Sequence, residues 1–482
     1  MKRVMVFLLA LICLLSFVSC IRKTTIKSGD IYKESATSSD ETATKSGLLH
    51  DDMSQYTISL ASYPEMAKYP NEMSYIDKET GILDNDGFFE VYDAWHNDKL
   101  AQINQPEGYM NGMDGFIDTS IRQFLTKSNG QNLVYSPLNV YMALAMLAEV
   151  TDGNSHEQIL ELLGSKSIDL LRTQARSVWN ANYLDDGAVT SVLANSLWLN
   201  DDVKYIKKTM ENLTDYYYAS SFSGKMGSDE LNKELQSWIN EQTGGLLEEQ
   251  ASGIEMRPDT ILALASTIHF RAKWGSEFSK NNTEKGLFNL LDGNNETLEC
   301  DFMHKSETQS YYWADSFAAV GLRLEGSGNM WFLLPDEGVD LDELLTDAQT
   351  MDFLHKGDAW DKSKFLIVNM SIPKFDVASN IDLSSGLQEL GVTDIFDSVL
   401  SDFSPMTADV DEIYLSQSEH AARVAIDEEG VTAAAYTVML ACGSAMPPDD
   451  EVDFVLDRPF LFAITGANGQ ILFVGVVNQP VS

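Results

Sequence analysis

Apolar residues recur along this chain with two different periods. NVYMALAMLAEV (139–150) is apolar around most of a helical circumference, which predicts a helix inside the molecule. Ser136 can cap its first turn, and Pro137 suits the first helical position, where no backbone N–H is needed. A second helix is expected at GNSHEQILELLG (153–164), where Ser155 and Gln158 have capping-box spacing and Gly164 can end it, and a third near 112–127. Strand patterns differ. TILALASTIHF (260–270), KFLIVNMSI (364–372), RVAI (423–426), FLFAI (460–464) and ILFVGVV (471–477) are β-branched and apolar. Several lack alternation, so their sheets are expected to be covered on both faces. No Pro/Ser/Gly-rich linker interrupts 111–482, which predicts one large α+β domain.

The amino terminus follows another plan. Met1, Lys2 and Arg3 precede an apolar run (4–18) too short to span a bilayer, closed by Ser19-Cys20: a secretory signal over 1–19. The segment resembles a bacterial lipoprotein signal, which implies that Cys20 becomes the lipidated first residue. An ordinary signal peptide that contains Cys13 and Cys20 is the alternative. Residues 20–50 are rich in Ser, Thr, Lys and acidic side chains and predict a flexible tether. The stretch 51–110 is aromatic and acidic, carries no motif, and is expected to pack on the body as an N-terminal extension.

Composition narrows the function classes. With 482 residues and 44% hydrophobic content, the chain can bury a large core. Its formal charge of −40 becomes two units more negative if Lys2 and Arg3 leave with the signal, which argues against nucleic acid and against anionic membrane surfaces, so a lipid would be the sole membrane contact. Outside the signal and lipid site only Cys300 and Cys442 remain, far apart and without zinc-ligand spacing; no metal or cofactor is expected. There is no Gly-x-Ser-x-Gly elbow, no His-Glu-x-x-His helix and no phosphate-binding glycine loop, which disfavours a secreted hydrolase.

NLVYSPLNVYMALAML (132–147) followed by GNSHEQIL resembles the serpin segment that begins helix B and runs into helix C. LANSLWLN (193–200), INEQTGGLL (239–247), STIHFRAKWGSEF (266–278), FLLPDEG (332–338), IPKFDV (372–377), FVLDRPFLFAI (454–464) and FVGVVNQP (473–480) resemble further serpin blocks in family order. The resemblance covers 111–482. It implies a fold of three β-sheets with about eight to nine helices, a monomer, and an exposed reactive-centre loop over about 428–452 that a serine protease attacks as substrate.

The loop sequence fits that role. After Asp427, Glu428, Glu429 and Gly430, residues 431–440 are small or β-branched and uncharged: a strand propensity placed where an exposed loop is expected. Left exposed it would be an aggregation hazard, whereas insertion into a sheet after cleavage would satisfy its backbone. The hinge is Glu428, Glu429, Gly430, Val431, Thr432, Ala433, Ala434 and Ala435. Two residues depart from the family: Val431 stands where Thr or Ser is usual, and Tyr436 where residues are usually small. Alternation puts Val431, Ala433, Ala435, Thr437 and Met439 on one face and Tyr436 on the other, so neither departure blocks insertion. The family's loop length places the scissile bond between Ser444 and Ala445, within a window from Cys442 to Met446. No Lys or Arg lies between Val431 and Asp450. Trypsin-like enzymes are therefore excluded and elastase-like or subtilisin-like serine proteases favoured, with cysteine proteases a further class. A buried polar cluster that holds the central sheet closed in the family corresponds to Ser136, Asn139, Ser266 and His420. Asn139 replaces the commoner Ser and Ser266 the usual Asn, a compensating exchange of amide and hydroxyl. The alternative is a non-inhibitory surface binding protein on the same fold.

Overall fold

In a computed structural model, which describes residues 51–77, 80, 82–290, 296–416, 418–431 and 450–480, the helix expected after Tyr135 runs over Pro137–Glu149. All of its residues except Ala143 are buried, as its apolar circumference requires. Ser136 caps it, its hydroxyl accepting the Asn139 amide at 3.4 Å. The helix lies between two sheets, against the strand Leu262–Lys273 on one side and Ile471–Val477 on the other.

The first sheet runs Thr57–Ser59, Ala219–Gly224, Thr190–Asn200, Leu262–Lys273, Gly430–Val431, Glu419–Ile426, Phe375–Asp382, with Leu184–Asp185 paired to Thr190–Asn200. One face meets the main core through Ile268, Phe270, Ala272, Val424 and Ile426. The other is covered by the helix Asp229–Gln242, whose Leu231, Leu235 and Trp238 pack with Trp198 and Phe222 in a second apolar cluster. Both faces are thus covered, as the unbroken hydrophobic runs predict.

The second sheet runs Glu451–Val455, Ser363–Pro373, Thr297–Trp313, Phe317–Arg323, Asn329–Pro335, Phe460–Thr465, Ile471–Val477, Leu133–Tyr135, with Thr283–Asn289 alongside. The three expected sheets appear as two hydrogen-bonded networks for a physical reason. Thr297–Trp313 is 17 residues long and pairs at one end with Thr283–Asn289, along its middle with Ser363–Pro373 and at its tip with Phe317–Arg323, so no break separates the last two sheets. Eleven α-helices occur among the described residues, above the eight or nine expected. The surplus includes Asn85–Ile103 in the extension and the single-turn Glu248–Ala251. The second predicted helix forms over Gly153–Leu162, but Asp152 caps it through the Gly153 amide, while Ser155 is buried inside the helix and its hydroxyl accepts the Asp402 amide. A shorter acidic cap one turn earlier outcompetes the capping box.

The extension packs on the body through its aromatic residues. Thr57–Ser59 adds an edge strand beside Ala219–Gly224, and Tyr63 sits among Trp179, Tyr183 and Tyr218. Trp95 donates its indole N–H to Asp186 at 3.2 Å, and buried Lys99 lies over the Trp95 ring and donates to the Gly326 carbonyl. The signal, Cys20 and the tether lie outside the described residues, as does Cys442; Cys300 is a buried free thiol.

Candidate functional site

The expected loop is rooted inside the first sheet, not outside it. Gly430 and Val431 form a two-residue strand paired on both sides: Gly430 opposite Lys273, and Val431 opposite Ala272 on one neighbour and Ile426 on the other. Val431 is 1% exposed and Glu428 6%. Within the expected loop bounds of 428–452, Glu428, Gly430 and Val431 are thus buried and Glu429 partly so. Three local features hold the chain there. The Asp427 carboxylate accepts the amides of Glu429 at 2.8 Å and Gly430 at 3.2 Å, turning the chain back into the sheet. Gly430 passes so close to its neighbour that a Cβ would stand 2.4 Å from the Ala272 carbonyl oxygen, which only glycine tolerates. Val431 lacks a hydroxyl and packs in the main core without leaving a polar group unpaired.

Side chains from other elements fix the root further. Trp274 donates its indole N–H to the Asp427 carbonyl at 2.8 Å and its amide to the Glu429 carbonyl at 3.1 Å. Glu428 accepts the Thr283 hydroxyl at 2.7 Å and faces the Lys374 ammonium at 3.1 Å. Burial pushes its carboxyl up, but those two donors hold it below the usual range. Glu429 pairs with Lys280 at 2.6 Å. On the far side of the loop, Asp450 pairs with Lys364 at 2.6 Å and Glu451–Val455 runs parallel to Ser363–Pro373. Both ends of the intervening segment are therefore tied to lysines.

Below Val431, among the described residues, no strand pairs between Leu262–Lys273 and Glu419–Ile426, and that position in the first sheet is the slot. Leu262–Lys273 and Glu419–Ile426 are both antiparallel to Gly430–Val431, hence parallel to each other. Among the described residues, those two residues alone pair between them. With a strand between them, the rims stand about 9.5 Å apart, twice the ordinary spacing.

The predicted polar residues meet beneath this slot. The Ser136 amide donates to His420 Nε2 at 3.0 Å, so the neutral ring carries its proton on Nδ1. Complete burial pushes the His420 imidazole down to about 4. Asn139 donates its amide side chain to the Ser266 carbonyl at 3.1 Å. The Ser266 hydroxyl stands between the side-chain oxygens of Asn139 and, at 2.7 Å, Asn195, with one proton for two acceptors. Asn195 is anchored in turn by donating to the Tyr217 carbonyl at 2.7 Å. The start of one helix thus grips both rims, Ser136 on the His420 strand and Asn139 on the Ser266 strand.

Sequence reasoning missed Asn195, Lys374, Thr283 and Trp274. Asn195, Trp274 and Lys374 lie within quoted blocks, yet nothing local marks an Asn in a strand, a Trp at a strand end or a Lys between two strands as part of a cluster. Thr432, Ala433, Ala434, Ala435, Ser444 and Ala445 lie outside the described residues.

A family model described as "Serpin (serine protease inhibitor)" matches residues 116–480. "Alpha-1-antitrypsin 1-3" of Mus musculus is 30% identical over 405 residues, covering 81% of this chain and 94% of that protein. "Serpin-ZX" of Arabidopsis thaliana is 29% identical, covering 74% of this chain and 94% of that one. Among solved structures, the thermophilic serpin tengpin in its native state aligns with a TM-score of 0.68 at 23% identity, over 78% of this chain and 95% of that one. Thyroxine-binding globulin in complex with thyroxine aligns with a TM-score of 0.66 at 23% identity, over 77% of this chain and 100% of that one. The order of the sequence blocks, a relative 30% identical over 81% of this chain and a family match over residues 116–480 agree on one conclusion: the chain belongs to the serpin family.

Proposed function

We propose that this chain is a single-use inhibitor of serine proteases of the elastase-like or subtilisin-like kind, with cysteine proteases a secondary class. The observation that supports it is the placement of Gly430 and Val431 between Leu262–Lys273 and Glu419–Ile426, which no other strand joins on those edges among the described residues, at the head of an uncharged, strand-forming sequence. Continuing that register down the slot would set Ala435 opposite Ile268 and Ala422, and Tyr436 on the outward face opposite Thr267 and Ala421, next to the small Ala421.

In this reading the protease serine attacks the carbonyl carbon of Ser444, the bond to Ala445 breaks, and the proton leaves with the Ala445 amine. The acyl-enzyme is then trapped as the loop enters the slot. The inhibitor supplies no catalytic group; it supplies backbone pairing withheld until cleavage. Ser136, Asn139, Ser266 and His420 act as the latch on the rims. Cys20 holds the molecule by a lipid at the outside of a bacterial cytoplasmic membrane or cell surface, on the tether 20–50.

The test is a denaturing gel. A complex that survives denaturation is expected with elastase-like or subtilisin-like enzymes and none with trypsin; clean loop cleavage with no complex for any protease class overturns the proposal. Mass spectrometry of the released peptide identifies the bond, and Cys20→Ala should move the protein from the membrane fraction to the soluble one. A binding module without inhibition is the second reading, and thyroxine-binding globulin, solved in complex with thyroxine, binds a small ligand on this architecture. Melting before and after nicking the loop separates the two, since an inserting loop raises the midpoint sharply.

A further inference from the structure

The slot is crossed on its outer face. Three rungs below the Ala272–Val431–Ile426 row stand His269 on one rim and Arg423 on the other. An odd number of rungs turns both side chains away from the main core, toward the helix Asp229–Gln242. The loop 243–247, which follows that helix, lies over both. Gly244, at φ +62, rests on the His269 ring so closely that a Cβ would stand 2.7 Å from ring carbon Cε1. Two residues on, the Leu246 carbonyl accepts a hydrogen bond from the Arg423 guanidinium at 3.2 Å. The same guanidinium is held by Asp376 on the next strand, with Nε 2.7 Å from one carboxylate oxygen and a terminal nitrogen on the other. The loop is itself rigid: the Thr243 hydroxyl donates to the Ile239 carbonyl at 2.8 Å, the Gly245 amide to the Asn240 carbonyl at 2.8 Å, and Leu247 is buried in the second apolar cluster.

We propose that 243–247 is a strap across the slot and that Arg423 is its pin, a positioning residue that sets how fast the slot admits a strand. The inference rests on the inhibitory reading above. Asp376 preorganises the guanidinium, so its third donor is aimed at Leu246 at little entropic cost. One rim carries the strap by contact and the other by a charge-assisted hydrogen bond. A strand can enter beneath it only after that bond yields.

The experiment compares full-length wild type with Arg423→Met, which keeps the apolar stem, and Arg423→Lys, which keeps a charge beside Asp376 but loses the fork. Two quantities are read: the rate of spontaneous conversion on mild heating to a form with a raised melting midpoint, and the number of inhibitor molecules consumed per trapped protease. Arg423→Met is expected to convert about tenfold faster, as loss of a charge-assisted hydrogen bond implies, and to consume fewer molecules per complex, with Arg423→Lys between. An unchanged conversion rate in folded Arg423→Met overturns the strap. If Arg423→Met fails to fold, Asp376→Asn, which releases the guanidinium from its guide, must accelerate conversion or the inference falls. A wild type that neither converts nor traps any protease overturns the inhibitory reading itself and the strap with it.

Discussion

Val431→Arg is the substitution that separates native folding from loop insertion. Val431 is 1% exposed and packed between Ala272 and Ile426. Burying a valine contributes about 1.5–3 kcal/mol, while an unpaired cation in the same place costs several kcal/mol. The charged side chain will therefore not remain in the row; Gly430 and Val431 will swing out instead. What the native state then loses is capped by the valine burial and by ladder hydrogen bonds worth about 1 kcal/mol each once exchanged for water. The rest of the sheet stands, since its other strands keep their own partners. Insertion is affected differently, because every route into the slot begins with this row. The variant should fold and be cleaved at the wild-type rate, yet run on a denaturing gel as cleaved inhibitor and free protease, with no rise in melting midpoint after nicking. Val431→Thr is the control: it restores the family's usual residue and should keep trapping. A covalent complex from Val431→Arg at wild-type stoichiometry would refute the claim that this row is the entrance.

Other outcomes follow from the root and the polar cluster. Glu428→Gln keeps the Thr283 contact but removes the charge facing Lys374, and should lower the urea unfolding midpoint by an amount equivalent to about 1–3 kcal/mol, with faster spontaneous conversion. Asn139→Ser and Ser266→Asn should each destabilise by about 1–3 kcal/mol, and the double variant should recover on the order of 1 kcal/mol in a double-mutant cycle, since the pair exchanges amide for hydroxyl across one contact; strict additivity would deny the coupling. His420 is pushed down to about 4 in the folded protein against an ordinary 6.5, so the unfolded or opened chain binds its proton more readily. Its contribution is complete above about 6.5 and is lost as pH falls toward 4, a change on the order of 3 kcal/mol. His420→Gln should flatten that acid limb in melts between pH 4 and 7. His355 behaves oppositely: Asp118 raises it, so its stabilisation is present below its ordinary value and fades as pH rises through its raised one, and His355→Gln should alter only that side.

The regular elements were legible because each carries its own signal. An apolar circumference marked the helix Pro137–Glu149, and unbroken β-branched runs marked strands covered on both faces. The loop root was not, since two residues have no period; what holds them is Trp274, Lys374 and Thr283, all distant in sequence. The capping-box reading of Ser155 failed because Asp152 offers an acidic cap three residues earlier. The polar cluster was found by resemblance, and the register now supplies the physical reason for its composition. Ser266 and His420 each lie six rungs below the row that holds Val431, so they face each other across the slot on the core side. An even number of rungs keeps them on the buried face, where Ser136 and Asn139 reach them from below; an odd number puts His269 and Arg423 on the outer face, where the loop 243–247 reaches them from above. Contacts of three unlike kinds therefore lie at three heights along one slot. In the proposed insertion Val431 keeps its place between Ala272 and Ile426, the buried polar cluster can re-form after the rims part, and the Arg423 bond to Leu246 must be given up. An entering strand meets the strap, three rungs below Val431, before the polar cluster, six rungs below, and that order follows from the register.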